Sequence, residues 1–220
     1  MKTGALAIAL VLTFYGSMAP QPQSRSQTQA DYDRQADEEN KKHGWGDGKL
    51  KVGEAAPDFD LRALDPEQSG QLSRFAGKKP VVLVFASYTC PAFRAQSNAI
   101  KGLANMYKNQ VEFLLIYIRE AHPIDGLQME QNVREGILLP SPKSHEEKEA
   151  HALECVRHLN IKFTTLVDTM DNKVEQSYAA WPIRLYVVGK DGLIAWKGKP
   201  GPDGFLPAEL AVAIEEVIER

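Results

Sequence analysis

Two long apolar runs stand out in the middle of the chain, PVVLVFA at 80–86 and, with Glu112 as its one charged residue, VEFLLIYI at 111–118. Successive side chains of a strand point to opposite faces of a sheet, so runs that are apolar at nearly every position predict strands buried on both faces. Shorter apolar segments predict further strands at 59–61, 164–167, 184–188 and 193–197. The turn sequence Lys190-Asp191-Gly192 is typical of a hairpin between the last two.

Segments whose apolar residues have the spacing of a helix lie between these strands. Apolar residues such as Phe93 and Ile100 lie near one face of the stretch from 90 to about 108, which predicts a helix that begins at the end of the first buried run. Ser144 and Glu147 form a capping box ahead of a helix that runs to about position 159. Further helices are predicted at 173–180 and 207–219, whereas 120–142 lacks clear periodicity and is expected to be an insertion over one edge of the sheet.

The order of these elements indicates the fold class. Strands and helices alternate along the chain and end in a hairpin and a final helix, which predicts an α/β fold with a central mixed β-sheet flanked by helices. This order is similar to that of a thioredoxin-like fold. With 220 residues, of which 43% are hydrophobic, the chain has material for one core and an appendage. We assign the folded domain to residues 49–220.

The N-terminal part differs in composition. Lys2, an apolar stretch at 5–15 and the small residues at 16–19 follow the order of a secretory signal. About eleven apolar residues are fewer than the roughly 20 that a spanning helix needs, so residues 1–19 are expected to be a signal peptide, or alternatively an N-terminal membrane anchor. An exported protein is therefore predicted, either periplasmic, secreted or anchored at the cell envelope. Residues 20–48 contain almost no aliphatic side chain, which predicts a disordered linker.

Charge and cysteine content narrow the classes of function. Lys and Arg number 26 against 29 Asp and Glu, so the chain has no basic field for nucleic acid. Cys90 and Cys155 are too few for the disulfide framework of a small secreted scaffold, although the two could form one structural bridge.

Cys90 is the first candidate for a nucleophile. It follows the first buried run in the sequence FASYTCPAF, where backbone N–H groups at the start of a helix favour a thiolate. Because position 93 is Phe, the chain lacks a Cys-x-x-Cys pair at this turn, and one-thiol chemistry is expected. Such a thiolate attacks a peroxide oxygen or an aryl iodide and is then reduced by a second thiol. The alternative is a buried structural cysteine.

Residues near Cys90 in sequence are candidates to support it. Ser87 and Thr89 place hydroxyls on either side of the turn, where they could bond the thiolate or a leaving atom. An equally weighted alternative is that Thr89 caps the helix. Arg94, one helical turn further, could lower the Cys90 pKa, or it points to solvent.

A second group of candidate residues lies just before and within the strand predicted at 184–188. Pro182 stands where this fold commonly holds a cis proline beside the reactive cysteine, with a trans turn proline as the alternative. Arg184 and Tyr186 are two residues apart and therefore share one side of a strand, from which they could reach the site.

His151, Cys155 and His158 recur on one face of the helix that follows Ser144. Three residues with no clear fourth ligand make a weak metal site, and we predict no metal. A buried structural cysteine at Cys155 is favoured, and a thiol that resolves an oxidised Cys90 is the alternative.

From about Lys49 to Glu219, the chain resembles the iodothyronine deiodinase family, a branch of the thioredoxin fold. The resemblance is carried by FASYTCP at 85–91, YIREAHPIDG at 117–126, VDTMDN at 167–172, YAAWPIRLY at 178–186 and KGKPGPDG at 197–204.

The resemblance implies roles for individual residues. Cys90 corresponds to the reactive selenocysteine of the family, and Arg184 corresponds to its strand arginine. Glu120 and His122 would then form a proton-transfer or substrate-positioning group near the thiol. An imidazole that titrates near neutral pH is suited to act as the acid.

Three departures from the family pattern affect the expected activity. Sulfur replaces selenium, so reductive deiodination should be slower. Tyr88 occupies a position where family members often carry a cysteine that could resolve the reactive one. Pro142 occupies the position of the histidine with which the family holds the phenol of the hormone, and His145 is nearby.

The sequence therefore predicts a thiol-dependent oxidoreductase in which Cys90 performs reductive deiodination or related redox chemistry. A peroxiredoxin-like thiol peroxidase and a non-catalytic thioredoxin-like binding module are the alternatives. No cofactor is expected beyond an external thiol reductant. The expected partners are an iodinated aromatic or peroxide substrate and, by resemblance to the family, a second copy of the chain.

Overall fold

The computed structural model describes residues 29–68 and 70–219. Within them, six strands form one mixed sheet in the order β1-β4-β3-β2-β5-β6. The elements, in chain order, are α1 (Gln29–Lys42), β1 (Arg62–Ala63), β2 (Val81–Ala86), α2 (Pro91–Met106), β3 (Glu112–Tyr117), α3 (Glu130–Glu135), α4 (His145–Leu159), β4 (Thr164–Val167), α5 (Lys173–Tyr178), β5 (Arg184–Val188), β6 (Ile194–Lys197) and α6 (Pro207–Ile218). The predicted α/β fold with a central mixed sheet is confirmed.

The two long apolar runs form the centre of the sheet. β2 and β3 pair in parallel over all six residues of each, and β2 is antiparallel to β5 on its other side. Every residue of β2 is buried, because alternate side chains enter two separate cores. Val82, Val84 and Ala86 face the core that contains α2, α4 and α6, whereas Val81, Leu83 and Phe85 face the core that contains α5.

The sequence placed most elements within one or two residues of their observed ends. Ser144 is the N-cap of α4 and its hydroxyl accepts the Glu147 N–H at 3.2 Å, as the capping box predicts. The strand predicted at 59–61 is displaced, since regular pairing occurs at Arg62–Ala63. The six-residue helix α3 was not predicted, because it is too short to show periodicity within 120–142.

The predicted disordered linker is wrong for residues 29–48. These residues form α1 and a following loop that packs on the domain. The Trp45 indole N–H donates to Gly201 O at 2.8 Å, the His43 ring lies 4.9 Å from that of Trp181, and Arg184 donates to Gly46 O at 2.9 Å. Composition alone missed this segment because ring contacts and hydrogen bonds to distant residues, rather than an aliphatic face, hold it.

Two predictions concern residues that the structure leaves undescribed. The signal peptide or anchor at 1–19 and the first part of the linker, 20–28, lie outside the described residues. Within 29–68 and 70–219, no helix is both long and apolar enough to cross a membrane.

Candidate active site around Cys90

Cys90 is the N-cap residue of α2, at the turn that follows β2. Its side chain is buried, and burial raises the thiol pKa to about 11. Backbone N–H groups of Phe93 and Ala92, and then the charge of Arg94, act in the opposite direction but are outweighed. Desolvation of the buried thiol therefore opposes the stabilisation of a thiolate that the helix start was expected to provide.

Thr89 connects Cys90 to a buried carboxylate. The Thr89 backbone N–H and hydroxyl both donate to Glu120 Oε2, at 3.1 Å and 2.6 Å. Tyr117 donates its hydroxyl to the other oxygen of Glu120 and accepts the Tyr88 N–H at 3.2 Å. Cys90, rather than Thr89, occupies the N-cap position of α2, without a capping hydrogen bond from its side chain, and the Thr89 hydroxyl donates to Glu120. We refer to Thr89, Tyr117, Glu120 and His151 as the Glu120 network.

His151 is the member of this network whose position the sequence did not reveal. Its Nδ1 lies 3.5 Å from Glu120 Oε1, and this buried nitrogen has no hydrogen-bond partner among the described residues. The sequence analysis considered His151 only as a metal ligand. The inward stripe of α4, which includes the neighbouring Ala152, was the one sequence signal that the imidazole could face the core.

The metal alternative on α4 is not supported by the geometry. The His158 ring stacks on Tyr88 at 5.8 Å, His151 faces Glu120, and Cys155 is a free, buried thiol. Within the described ranges, no three His, Cys, Asp or Glu residues are grouped as metal ligands.

Ser87 and His122 complete the turn around the thiol. Ser87 Oγ accepts the Ala121 N–H at 3.1 Å, and Thr89 Oγ1 accepts the His122 N–H at 3.1 Å. His122 Nδ1 is 2.9 Å from Leu127 O, so this nitrogen carries the proton. Burial lowers the His122 pKa. This direction opposes the role of an acid near neutral pH that was expected of His122; in its neutral form, with the proton on Nδ1, the ring presents Nε2 as an acceptor.

Arg94 and α3 stabilise the turn from the opposite side. Arg94 donates to Tyr88 O and to Asn132 Oδ1, both at 2.7 Å, and to Glu135 Oε2 at 2.8 Å. The Asn132 amide in turn donates to Thr89 O at 2.8 Å. The segment 120–142 is thus part of the site rather than only an insertion at the edge of the sheet.

Arg184 does not lie with Cys90. It donates to Gly198 O at 2.8 Å and to Ala179 O at 3.0 Å. Its strand neighbour Tyr186 belongs to the core on the face of the sheet opposite to Cys90. The prediction that this pair reaches the site is not met in this conformation. Pro182 does follow a cis peptide bond, as expected for this fold.

The second thiol shares a core with the first. Cys90 and Cys155 are both free and both belong to the core beneath α2 and α4. Burial raises the Cys155 pKa as well, with the charge of Glu120 as the next cause. A structural bridge between the two is absent in this state.

Tyr32 connects α1 to the N-terminus of α3. The Tyr32 hydroxyl donates to Met129 Sδ at 2.9 Å. Burial raises the Tyr32 pKa, followed by the charges of Asp33 and Cys90, which places the phenol within electrostatic range of the thiol.

Comparison with known proteins shows clear similarities. The family model of iodothyronine deiodinase matches residues 44–218. The chain is 34% identical over 169 residues to thyroxine 5-deiodinase from Homo sapiens, covering 76% of this chain and 54% of that protein. It is 32% identical over 165 residues to type I iodothyronine deiodinase from Xenopus laevis, covering 75% of this chain and 63% of that protein. The chain thus spans about half to two thirds of the length of these relatives.

Solved structures agree on the fold. The thioredoxin domain of a thiol-disulfide oxidoreductase from Bacteroides vulgatus has a TM-score of 0.55 at 16% identity, covering 77% of this chain and 99% of that one. A secreted disulfide oxidoreductase from Mycobacterium tuberculosis has a TM-score of 0.51 at 18% identity, covering 72% of this chain and 95% of that one. These similarities confirm the thioredoxin-like fold.

Proposed function

Because the chain belongs to the iodothyronine deiodinase family, we propose that it is a thiol-dependent oxidoreductase that removes iodine from an iodinated aromatic molecule. One observation of the site carries the proposal. Cys90 stands at the N-terminus of α2, next to a threonine whose hydroxyl donates to the buried Glu120 at 2.6 Å. The site thus combines a sulfur nucleophile with groups that can move a proton.

The proposed reaction balances with an external thiol as reductant. Cys90 sulfur attacks iodine, the carbon–iodine bond breaks, and the carbon receives the proton that sulfur gives up, which leaves a sulfenyl iodide. A first external thiol displaces iodide and forms a mixed disulfide, with release of a proton. A second external thiol restores the Cys90 thiol and leaves as a disulfide. The aromatic carbon is reduced and two thiols are oxidised.

The Glu120 network supplies the path for the proton. Glu120 accepts hydrogen bonds from Thr89 and Tyr117 and lies beside the unpartnered Nδ1 of His151. A carboxylate in this position can receive the proton of the thiol through Thr89 and return it to the substrate carbon. His122, neutral and acceptor at Nε2, is suited to orient a substrate hydroxyl rather than to protonate it.

Substitution of Glu120 tests this assignment. In Glu120→Gln, an amide N–H₂ group faces donors, so kcat should fall by about 10²-fold or more, the usual contribution of acid–base catalysis. The alkaline limb of the pH–rate profile should change shape in the same variant. Glu112→Gln, at the start of β3 and therefore at the end of that strand far from Glu120, is the matched control and should keep the parent kcat and pH profile. An unchanged kcat and pH profile in Glu120→Gln would exclude the network from the reaction.

A specific observation favours a second candidate function, a non-catalytic thioredoxin-like module. Cys90 is buried and its pKa is raised to about 11, which is unlike a thiol held ready for attack. A thiol peroxidase activity is the third candidate function. Incubating the reduced protein with an iodinated phenol or with hydrogen peroxide, and following Cys90 oxidation by mass spectrometry, separates the three. Faster oxidation of Cys90 by the iodinated phenol supports the proposal. Faster oxidation by hydrogen peroxide supports the peroxidase, and no oxidation by either compound supports the non-catalytic module.

Export is part of the proposal. The order of residues 1–19 supports it, and the similar structure from Mycobacterium tuberculosis is that of a secreted protein. We further propose that the reductant is an external thiol rather than Cys155, since Cys90 and Cys155 are both free.

A further inference from the structure

Helix α1 and the residue after it form one side of a cavity of about 260 Å³. Glu39, Lys42 and His43 line the cavity on this side, and Glu120 and Ala121 line it from the loop after β3. The carboxylate of the Glu120 network therefore lies in a wall that faces α1. Release of α1 from the domain would open this cavity to solvent.

Helix α1 packs on the domain without burying any of residues 30–42 completely. Because apolar burial is the largest favourable contribution to most docking contacts, the helix gains little from it. The Tyr32 hydroxyl donates to Met129 Sδ at 2.9 Å, and a thioether is a weak acceptor. Polar contacts such as the one made by His43 therefore have a large share in holding α1.

The loop after α1 is anchored independently of the helix. The Trp45 indole N–H donates to Gly201 O at 2.8 Å, and Arg184 donates to Gly46 O at 2.9 Å. Neither bond involves a group that titrates between about pH 5 and 8. Gly44, with φ 65°, lies between the helix and this anchor. The loop can therefore stay attached while α1 turns away at Gly44, where the backbone is free of a side chain.

His43 connects α1 to the domain through both ring nitrogens. Arg119 donates to Nδ1, and since a guanidinium has no acceptor, Nδ1 carries no proton. The proton of the neutral ring is therefore on Nε2, which donates to Glu39 Oε2 at 2.8 Å. The ring also lies 4.9 Å from that of Trp181. A second proton could bind only at Nδ1, where its N–H would point at the guanidinium. We refer to Glu39, His43 and Arg119 as the His43 contact.

The groups around His43 favour the neutral ring. Burial is the largest cause that lowers the His43 pKa, and the charges of Arg119 and Lys42 act in the same direction, whereas Glu39 raises it. Arg119 is held in place by Glu175 of α5, which accepts its Nε–H at 2.8 Å. The further charged residues of the cavity wall are Glu120, Asp125 and Lys148. The docked helix thus binds a proton at His43 less readily than a released helix does.

We propose that the His43 contact is an acid-sensitive latch, in which protonation of His43 releases α1 and opens the cavity beside the Glu120 network. Because the pKa is lower in the docked state, the docking free energy is fully present above the ordinary pKa of histidine and is lost as the pH falls below it. Both α1 and His43 precede residue 44, where the match to the deiodinase family begins. The latch goes beyond the proposed function and does not depend on it.

Hydrogen–deuterium exchange of the full chain tests the latch without any turnover. A free helix of 14 residues is marginal in water, so the amides of a released α1 exchange rapidly. Exchange is followed between about pH 8 and pH 5 and corrected for the intrinsic effect of pH. Below the ordinary histidine pKa, protection of α1 should fall about tenfold per pH unit until the lowered pKa is reached. The central strands β2 and β3 should keep their protection, and constant protection of α1 throughout would overturn the proposal.

Three variants assign the release to His43. His43→Gln is neutral at every pH, and its amide can accept from Arg119 and donate to Glu39, so α1 should stay protected in acid. Glu39→Gln keeps an acceptor for Nε2 but removes the charge that favours the protonated ring, so α1 should be released at a higher pH than in the parent. His145→Gln, at a histidine that pairs with Glu149 on α4, is the control and should keep the parent profile.

Two results from these variants would contradict the latch. The first is acid release that persists unchanged in His43→Gln, because another group would then be responsible. The second is a Glu39→Gln variant whose release stays at the parent pH or moves to a lower one, because the carboxylate would then not face the titrating ring. Neither result bears on iodide release, so the latch and the proposed function are tested separately.

Discussion

Alkylation of Cys90 is expected to be slow at neutral pH. Burial raises the Cys90 pKa to about 11, against an ordinary value of 9.0. Each pKa unit changes the thiolate fraction about tenfold, so the folded protein holds roughly one hundredth of the thiolate that an unperturbed cysteine has at pH 7. Because the thiolate is the reacting form, iodoacetamide should modify Cys90 about 100-fold more slowly than an exposed cysteine, before any steric protection is counted.

The Cys155→Ser variant makes this measurable, since Cys90 is then the one cysteine of the chain. The rate of alkylation is followed by intact-mass spectrometry at a series of pH values below the Cys90 pKa. The raised pKa keeps the thiol protonated throughout, so the rate should rise about tenfold per pH unit without a plateau. Cys90→Ser, which retains Cys155, reports the reactivity of the other buried thiol. A plateau near neutral pH would refute the reasoning, because it would show that the helix N-terminus and Arg94 outweigh burial.

Three further outcomes follow from single contacts. Tyr32→Ala should speed Cys90 alkylation several-fold with unchanged far-UV circular dichroism, because a phenol within electrostatic range of the thiol is removed; an unchanged rate would show that Tyr32 does not restrict access. Arg94→Gln should raise the Cys90 pKa further and slow alkylation at every pH, and a faster rate would contradict the assigned direction. Ser144→Ala should lower the free energy of unfolding in urea by about 1 kcal/mol through loss of the N-cap, whereas no change would show that the Glu147 N–H finds another acceptor.

The sequence predicted those parts of the fold that local pattern determines. The strands at 80–86 and 111–118 are apolar at nearly every position, and only a position between two cores accommodates that pattern. The helix after Ser144 begins where its capping box indicates. The packing of residues 29–48 could not be predicted, because it depends on contacts with residues such as Trp181 and Gly201, which are more than a hundred positions away.

The candidate site could be predicted only in part, because it also depends on contacts between residues that are distant in the chain. Cys90, Thr89 and Glu120 were identified from the sequence and its resemblance, and the structure brings them together. The raised Cys90 pKa was missed because burial depends on segments that are distant in the chain. Strand periodicity correctly put Arg184 and Tyr186 on one side of β5, but it does not say which side of the sheet faces Cys90. His151 joins Glu120 only through the packing of α4.

The central claim is that Cys90 sulfur takes the iodine from the substrate. Iodide release from an iodinated phenol, with dithiothreitol as the reductant, tests it most directly. The parent protein should release iodide over many turnovers, Cys155→Ser should retain most of that rate, and Cys90→Ser should release none above the rate without protein. Iodide release by Cys90→Ser at the parent rate would contradict the account.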